Sequence, residues 1–155
     1  MYNVSKTFSL FREIRMNQVM DVKEGGCLCG AVRYRITGAP AAVVVCHCTH
    51  CQRASGSAYS INLLVGASHY VQTGETSCYT DSGDSGLPSY RHFCGKCGSP
   101  VRTEAMNLPE MMIVKAGTLD DPAGVMPQME IYMEHAWGWH SPVATATQFA
   151  QAPVI

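Results

Sequence analysis

Charge is scarce in this sequence, and long apolar runs are missing. Only 15% of the 155 residues are charged, and the formal net charge is −1. That excludes a general electrostatic pull toward nucleic acid or an anionic membrane. No segment approaches the ~20 apolar residues that a spanning helix needs, so no membrane partner is expected. Residues 1–20, MYNVSKTFSLFREIRMNQVM, hold no continuous apolar stretch, and a secretory leader is not expected there. A long amphipathic helix, an internal repeat and low-complexity tracts are lacking as well, which argues against a helical bundle or a solenoid.

What is present is a globular composition, 46% hydrophobic, in a chain of single-domain length. Residues 1–20 stand apart as an N-terminal extension. They carry Lys6, Arg12 and Arg15 and no glycine, and Met16 and Met20 are alternative starts. Glu13 argues against a mitochondrial presequence. Residues 21–155 read as one domain.

Within that domain the pattern is mainly β. In AVRYRIT (31–37), Val32, Tyr34 and Ile36 share one face. AAVVVC (41–46), SAYSINLLV (57–65), HYVQTG, SCYTDSG, SYRHF, PVRTEA, MMIVKAGTL and MEIYMEHA follow as short strands between Gly, Asp and Ser turns. A short helical turn is expected after Cys51. The fold class is therefore antiparallel sheet, folded over or sandwiched.

The chain has eight cysteines, and seven of them are patterned: Cys27-x-Cys29, Cys46-x-Cys48-x-x-Cys51 and Cys94-x-x-Cys97. With no leader expected, the compartment is taken as cytoplasmic and reducing, where thiols serve metals or catalysis more often than disulfides. On a strand, residues i and i+2 point the same way, so each CxC offers two sulfurs on one face. CGKCG (94–98) reads as a zinc-knuckle turn in which Gly95 and Gly98 can take positive φ. A structural zinc wants four protein ligands, whereas a catalytic zinc keeps an open position beside three. Seven divides into four plus three. Cys46, Cys48 and Cys51 are local enough to form one site, and Cys27 and Cys29 then join Cys94 and Cys97 across a long loop. A rubredoxin-like iron is the competing metal, although it would use two CxxC knuckles.

The stretches GGCLCGAVRYRITG, CHCTHCQRASGSAY, RHFCGKCGSPV and KAGTLDDP together resemble the glutathione-dependent formaldehyde-activating enzyme family, also called the centromere-protein-V/GFA family. The resemblance implies a zinc-bearing folded β-sheet like that of the Rab-associated nucleotide-exchange chaperone. It implies a structural zinc at Cys27, Cys29, Cys94 and Cys97 and a catalytic zinc at Cys46, Cys48 and Cys51. It also implies a carbon–sulfur lyase that joins a small-molecule thiol, glutathione, to an aldehyde, formaldehyde, giving S-(hydroxymethyl)glutathione. One fold hosts many chemistries. Another small-molecule reaction on the same open zinc, or a zinc-stabilised binding module, are the rival readings.

Three thiolates leave a divalent zinc at a formal −1, so cations are expected nearby. Arg53 follows the three-cysteine motif and is the first candidate, as a neutralising charge or a carboxylate fork. Arg91 is placed near the knuckle and Lys96 in solvent. His47 should point away from the metal face as a packed or surface residue, and His50 is a candidate proton shuttle. His69, His92, His135 and His140 lack a spacing logic and are taken as structural. Cys78 reads as a small buried hydrophobe, and Trp137 and Trp139 as core. The DSGDSG loop (81–86) lacks the lysine and the following helix of a phosphate loop.

The four-plus-three pattern predicts up to two zinc ions per chain. Metal analysis of protein purified under reducing conditions should show the three-ligand ion leaving first under mild chelation. Iron, or disulfides without metal, would contradict the pattern.

Overall fold

A computed structural model describes residues 21–153; the N-terminal extension lies outside them. Eleven strands, β1 (Val22–Gly26), β2 (Arg33–Thr37), β3 (Ala42–Cys46), β4 (Ser60–Gly66), β5 (Tyr70–Thr73), β6 (Ser77–Ser82), β7 (Pro88–Phe93), β8 (Pro100–Ala105), β9 (Met111–Lys115), β10 (Met129–Ile131) and β11 (Thr147–Gln148), form two sheets. The smaller runs β1-β2-β5, and the larger runs β11-β10-β3-β4-β9-β8-β7-β6.

The period-2 pattern accounts for the packing. Val32, Tyr34 and Ile36 are buried while Arg35 and Thr37 face out. They meet Val43, Leu63, Val65, Val101 and Val114 from β3, β4, β8 and β9, so the core lies between the two sheets. Cys27 and Cys94 belong to the same core cluster. Gly74 closes β5 with φ +82° and lies so near Ala31 that a Cβ would meet its carbonyl oxygen at 2.0 Å. Only glycine suits both demands.

Most neighbours pair antiparallel, as expected. At one edge β10 runs parallel to β3, and β11 parallel to β10. Alternation cannot report strand direction, and a parallel neighbour requires a crossover instead of a hairpin.

The single α-helix among the described residues, α1, spans Thr49–Ser55. It therefore starts before Cys51 instead of after it. Cys48 acts as its N-cap, its sulfur accepting the Cys51 N–H at 3.3 Å, and Gly56 ends it in the left-handed region. No described helix is long and apolar enough to cross a membrane.

Two expectations are corrected by exposure. Cys78 is exposed, because it lies on β6, the outermost strand, where nearly every side chain meets solvent. Trp137 and Trp139 are 48% and 67% exposed. They follow β10 in a loop and pack edge-on against each other, with centroids 5.8 Å apart, instead of beneath a sheet.

Leu63, 1% exposed at the centre of the core, should lose about 2–5 kcal/mol of stability on Leu63→Ala. Cys78→Ala should stay within about 0.5 kcal/mol of wild type. Denaturant unfolding with metal held saturating measures both.

Candidate metal centres

The first centre forms where the turn after β1 meets the turn after β7. The N–H of Cys27 donates to Val32 O at 3.0 Å, and that of Gly30 to Cys27 O at 3.1 Å. Across from it, the N–H of Cys94 donates to Ser99 O at 2.9 Å and that of Gly98 to Cys94 O at 2.8 Å. Gly98 takes φ +76°, as a knuckle requires. Gly95 does not take a positive φ; its need for glycine is space, since a Cβ would lie 2.7 Å from Ser77 Oγ. The two turns are stitched by Leu28 N–H to Ser99 Oγ at 3.1 Å.

The sulfurs of Cys27, Cys29, Cys94 and Cys97 all lie within 4.8 Å of one another. Cys27 and Cys29 are 3.6 Å apart, and Cys29 and Cys94 3.7 Å. A tetrahedral zinc with Zn–S near 2.3 Å has S···S edges of about 3.8 Å, so this donor set fits the ion. A disulfide would need about 2.0 Å. Ser99 hydrogen bonds pull the Cys97 thiol down to about 5, which favours the thiolate a metal needs.

The second centre is local. Cys46 ends β3, Cys48 caps α1 and Cys51 lies in the first turn of α1. Their sulfurs also lie within 4.8 Å of one another. Hydrogen bonds from Cys46 and Cys48, aided by the charge of Lys115 and the Ser60 hydroxyl, push the Cys51 thiol far down. Three sulfurs are a donor set for a metal with one open position.

Neighbouring strands bring the cations. Lys115 ends β9, and its Nζ donates to Asn62 Oδ1 at 2.8 Å. Asn62 in turn donates to Ser60 Oγ at 2.9 Å. Burial pulls the Lys115 ammonium down while the charge of Cys51 pushes back. Arg91 on β7 donates from Nε to Asp81 Oδ2 at 2.7 Å. The His50 ring nitrogen Nδ1 meets the same carboxylate at 2.9 Å. Burial opposes the charge of Asp81, but His50 and Arg91 overcome it and hold its carboxyl below the ordinary range.

Cys46, Cys51, Arg91 and Lys115 line a cavity of about 710 Å³, together with polar residues such as Asp84 and Tyr132 and apolar ones such as Val44, Leu64 and Ile113. That volume lies within the usual span of small-molecule sites. A second cavity, about 640 Å³, also reaches Cys51 and Lys115 and is lined by Cys27, Ser55, Tyr59 and Ser99.

The placement differs from the sequence expectation in three respects. Arg53 is exposed on α1 and lines neither cavity. Arg91 belongs to the three-sulfur centre and not to the knuckle. Lys115 escaped notice because nothing in MMIVK separates a lysine at a site from one in solvent; only the β4–β9 register sets it opposite Asn62. Of the two places expected for His47, packed or surface, the structure gives the packed one, and Lys96 is exposed. His140, taken as structural, joins His47 and Glu130 in a third cluster whose ligand atoms lie within 4.8 Å.

Comparison with known proteins adds three findings. The family model described as "Glutathione-dependent formaldehyde-activating enzyme" matches residues 22–135. A Halomonas elongata protein, provisionally named a glutathione-dependent formaldehyde-activating enzyme, is 34% identical over 123 residues, covering 75% of this chain and 78% of that protein. A Rhodobacter sphaeroides protein of known crystal structure superposes with a TM-score of 0.50 at 23% identity, covering 67% of this chain and 91% of that one, a likeness of fold.

Cys94 is buried in both the metal cluster and the core. Cys94→Ala should lose one zinc equivalent and unfold at markedly lower temperature, since metal binding at a closed site is folding free energy. Metal analysis and thermal melts check this; a variant with full zinc content would contradict the ligand assignment.

Proposed function

Because the chain belongs to the glutathione-dependent formaldehyde-activating enzyme family, we propose that it is a zinc-dependent carbon–sulfur lyase that adds a small-molecule thiol reversibly to an aldehyde. Glutathione and formaldehyde are the substrates that the family description supports. In the addition, sulfur bonds to the carbonyl carbon, the carbon–oxygen π bond opens, and the thiol proton passes to the carbonyl oxygen. The product is S-(hydroxymethyl)glutathione, and the reverse step returns both reactants.

The observation that carries the reading is the three-sulfur cluster opening on a cavity of about 710 Å³ beside two cations. In this reading Cys46, Cys48 and Cys51 hold the second zinc, and Cys27, Cys29, Cys94 and Cys97 the structural one. When bound, the second ion supplies Lewis acidity toward a carbonyl oxygen and lowers the pKa of a thiol. Lys115 offsets the negative charge of the sulfur set from within the cavity wall. Asp81 holds Arg91 in place, so the guanidinium presents a fixed N–H toward the cavity without reorganising during the reaction. His50, on the same carboxylate and half exposed, is the proton carrier to bulk water. The apolar residues of the wall lower the local dielectric and so strengthen the charges beside them.

Magnetisation-exchange NMR with glutathione and formaldehyde tests the reaction. Wild type should exceed the uncatalysed rate. Cys48→Ala should abolish the excess while keeping the fold, and Lys115→Met should lower it by at least ~10-fold with both metal ions retained. No excess rate in wild type would overturn the choice of substrates. Full exchange in Cys48→Ala would remove the second centre from the chemistry and favour a binding module.

A further inference from the structure

Glu130 has no contact with solvent, and no cysteine ligand of either centre touches it. Burying a carboxylate is costly unless each lone pair finds a donor. Here three donors converge. His140 Nε2 lies 2.7 Å from Oε1, His47 Nε2 lies 3.2 Å from the same oxygen, and the Val143 N–H donates to Oε2 at 2.8 Å. Nδ1 of His47 is buried and has no partner among the described residues. A neutral imidazole carries one N–H, and its acceptor is on the Nε2 side, so His47 donates to Glu130. The 2.7 Å contact is the length of a charge-assisted hydrogen bond, and both rings share one oxygen, so hydrogen bonds and not an ion fill the space between them.

His47 is the residue between two ligands, Cys46 and Cys48, and it is held on every side. Its N–H donates to Ile131 O at 3.1 Å, and its carbonyl accepts Gln52 Nε2 at 2.9 Å. Its ring packs edge-on against His140 and Tyr59, with centroids at 4.5 and 5.3 Å. β10 supplies Glu130 because it pairs in parallel with β3, placing Ile131 opposite Cys46 and Glu130 opposite Val45.

We infer that Glu130 is the positioning residue of the three-cysteine centre: through His47 it fixes, from behind, the turn that aims Cys46 and Cys48 at one point. Glutamine in its place keeps the shape but offers a single acceptor oxygen to three N–H donors, so at least one link is lost. The inference rests on the metal-centre part of the proposed function and not on the identity of thiol or aldehyde.

The test uses the full chain, reduced and loaded with zinc or cobalt. Glu130→Gln should release the second ion to a chelator at least ~10-fold more readily, within the range known for residues that orient metal ligands. The first ion should stay, and the cobalt–thiolate absorption of the three-sulfur site should change, which a merely structural loss of stability would not cause. His140→Leu removes one donor while leaving Glu130 joined to His47. It should shift the second ion in the same direction, and it carries the test if Glu130→Gln fails to fold. Folded variants with wild-type affinity and spectrum overturn the inference, as does a third metal equivalent in wild type that is lost from His140→Leu. A wild type that takes one ion only overturns the reading of the three-cysteine centre and this inference with it.

Discussion

The structure depends on drawing four sulfurs together from two places far apart in the chain. Cys29 and Cys94 are 65 residues apart, yet their sulfurs stand 3.7 Å from each other. Closing a loop of that length restricts the unfolded chain by about 4 kcal/mol on the chain-entropy view. The closure ties the turn after β1 to the turn after β7, and so fastens the small sheet onto the large one. Cys27 and Cys94 complete the same apolar cluster that Val32, Leu63 and Val114 fill. Sulfur placement and core packing are therefore one constraint, because neither pair of cysteines can shift without opening the core.

The second centre inherits its surroundings from the large sheet. β3 delivers Cys46, its neighbour β4 delivers Ser60 and Asn62, and β9 next to that delivers Lys115. β6 and β7, at the far edge, deliver Asp81 and Arg91 as a pair. On the opposite side of β3, β10 delivers Glu130. The sulfurs come from six consecutive residues, but the charges around them come from four strands. The negative charge of the sulfur set is answered at fixed positions by Lys115 and by an arginine that is itself anchored, an arrangement that costs no rearrangement when charge develops.

How much of this was legible follows from the range of each interaction. Cysteine spacing is local and constrained by ligand geometry, so CxC, CxCxxC and CxxC announced both clusters. Alternation is local too, and it gave the buried face of β2 correctly. Arg91, Lys115 and Glu130 act through strand register, which no window of sequence encodes, and Arg53 drew attention by adjacency alone. The parallel placement of β10 was invisible for the same reason. Cys78, Trp137 and Trp139 were misjudged because apolar character says what a residue can bury and not whether an edge strand or a loop will give it cover. His140 carries no signal by itself; its shared carboxylate and its ring packing link it to His47.

The separation of Cys29 from Cys94 also sets an order of events during synthesis. At about 5–20 residues per second, the ribosome takes roughly 3–13 s to add the 65 residues between them. For that interval the first pair of thiols stands in a nascent chain without its partners. Cys46, Cys48 and Cys51 emerge within the same interval and are already complete as a set. The four-sulfur set is therefore completed only after the three-sulfur set has been made. Assembly of the four-sulfur set is thus a matter of timing during synthesis as well as of packing in the folded protein.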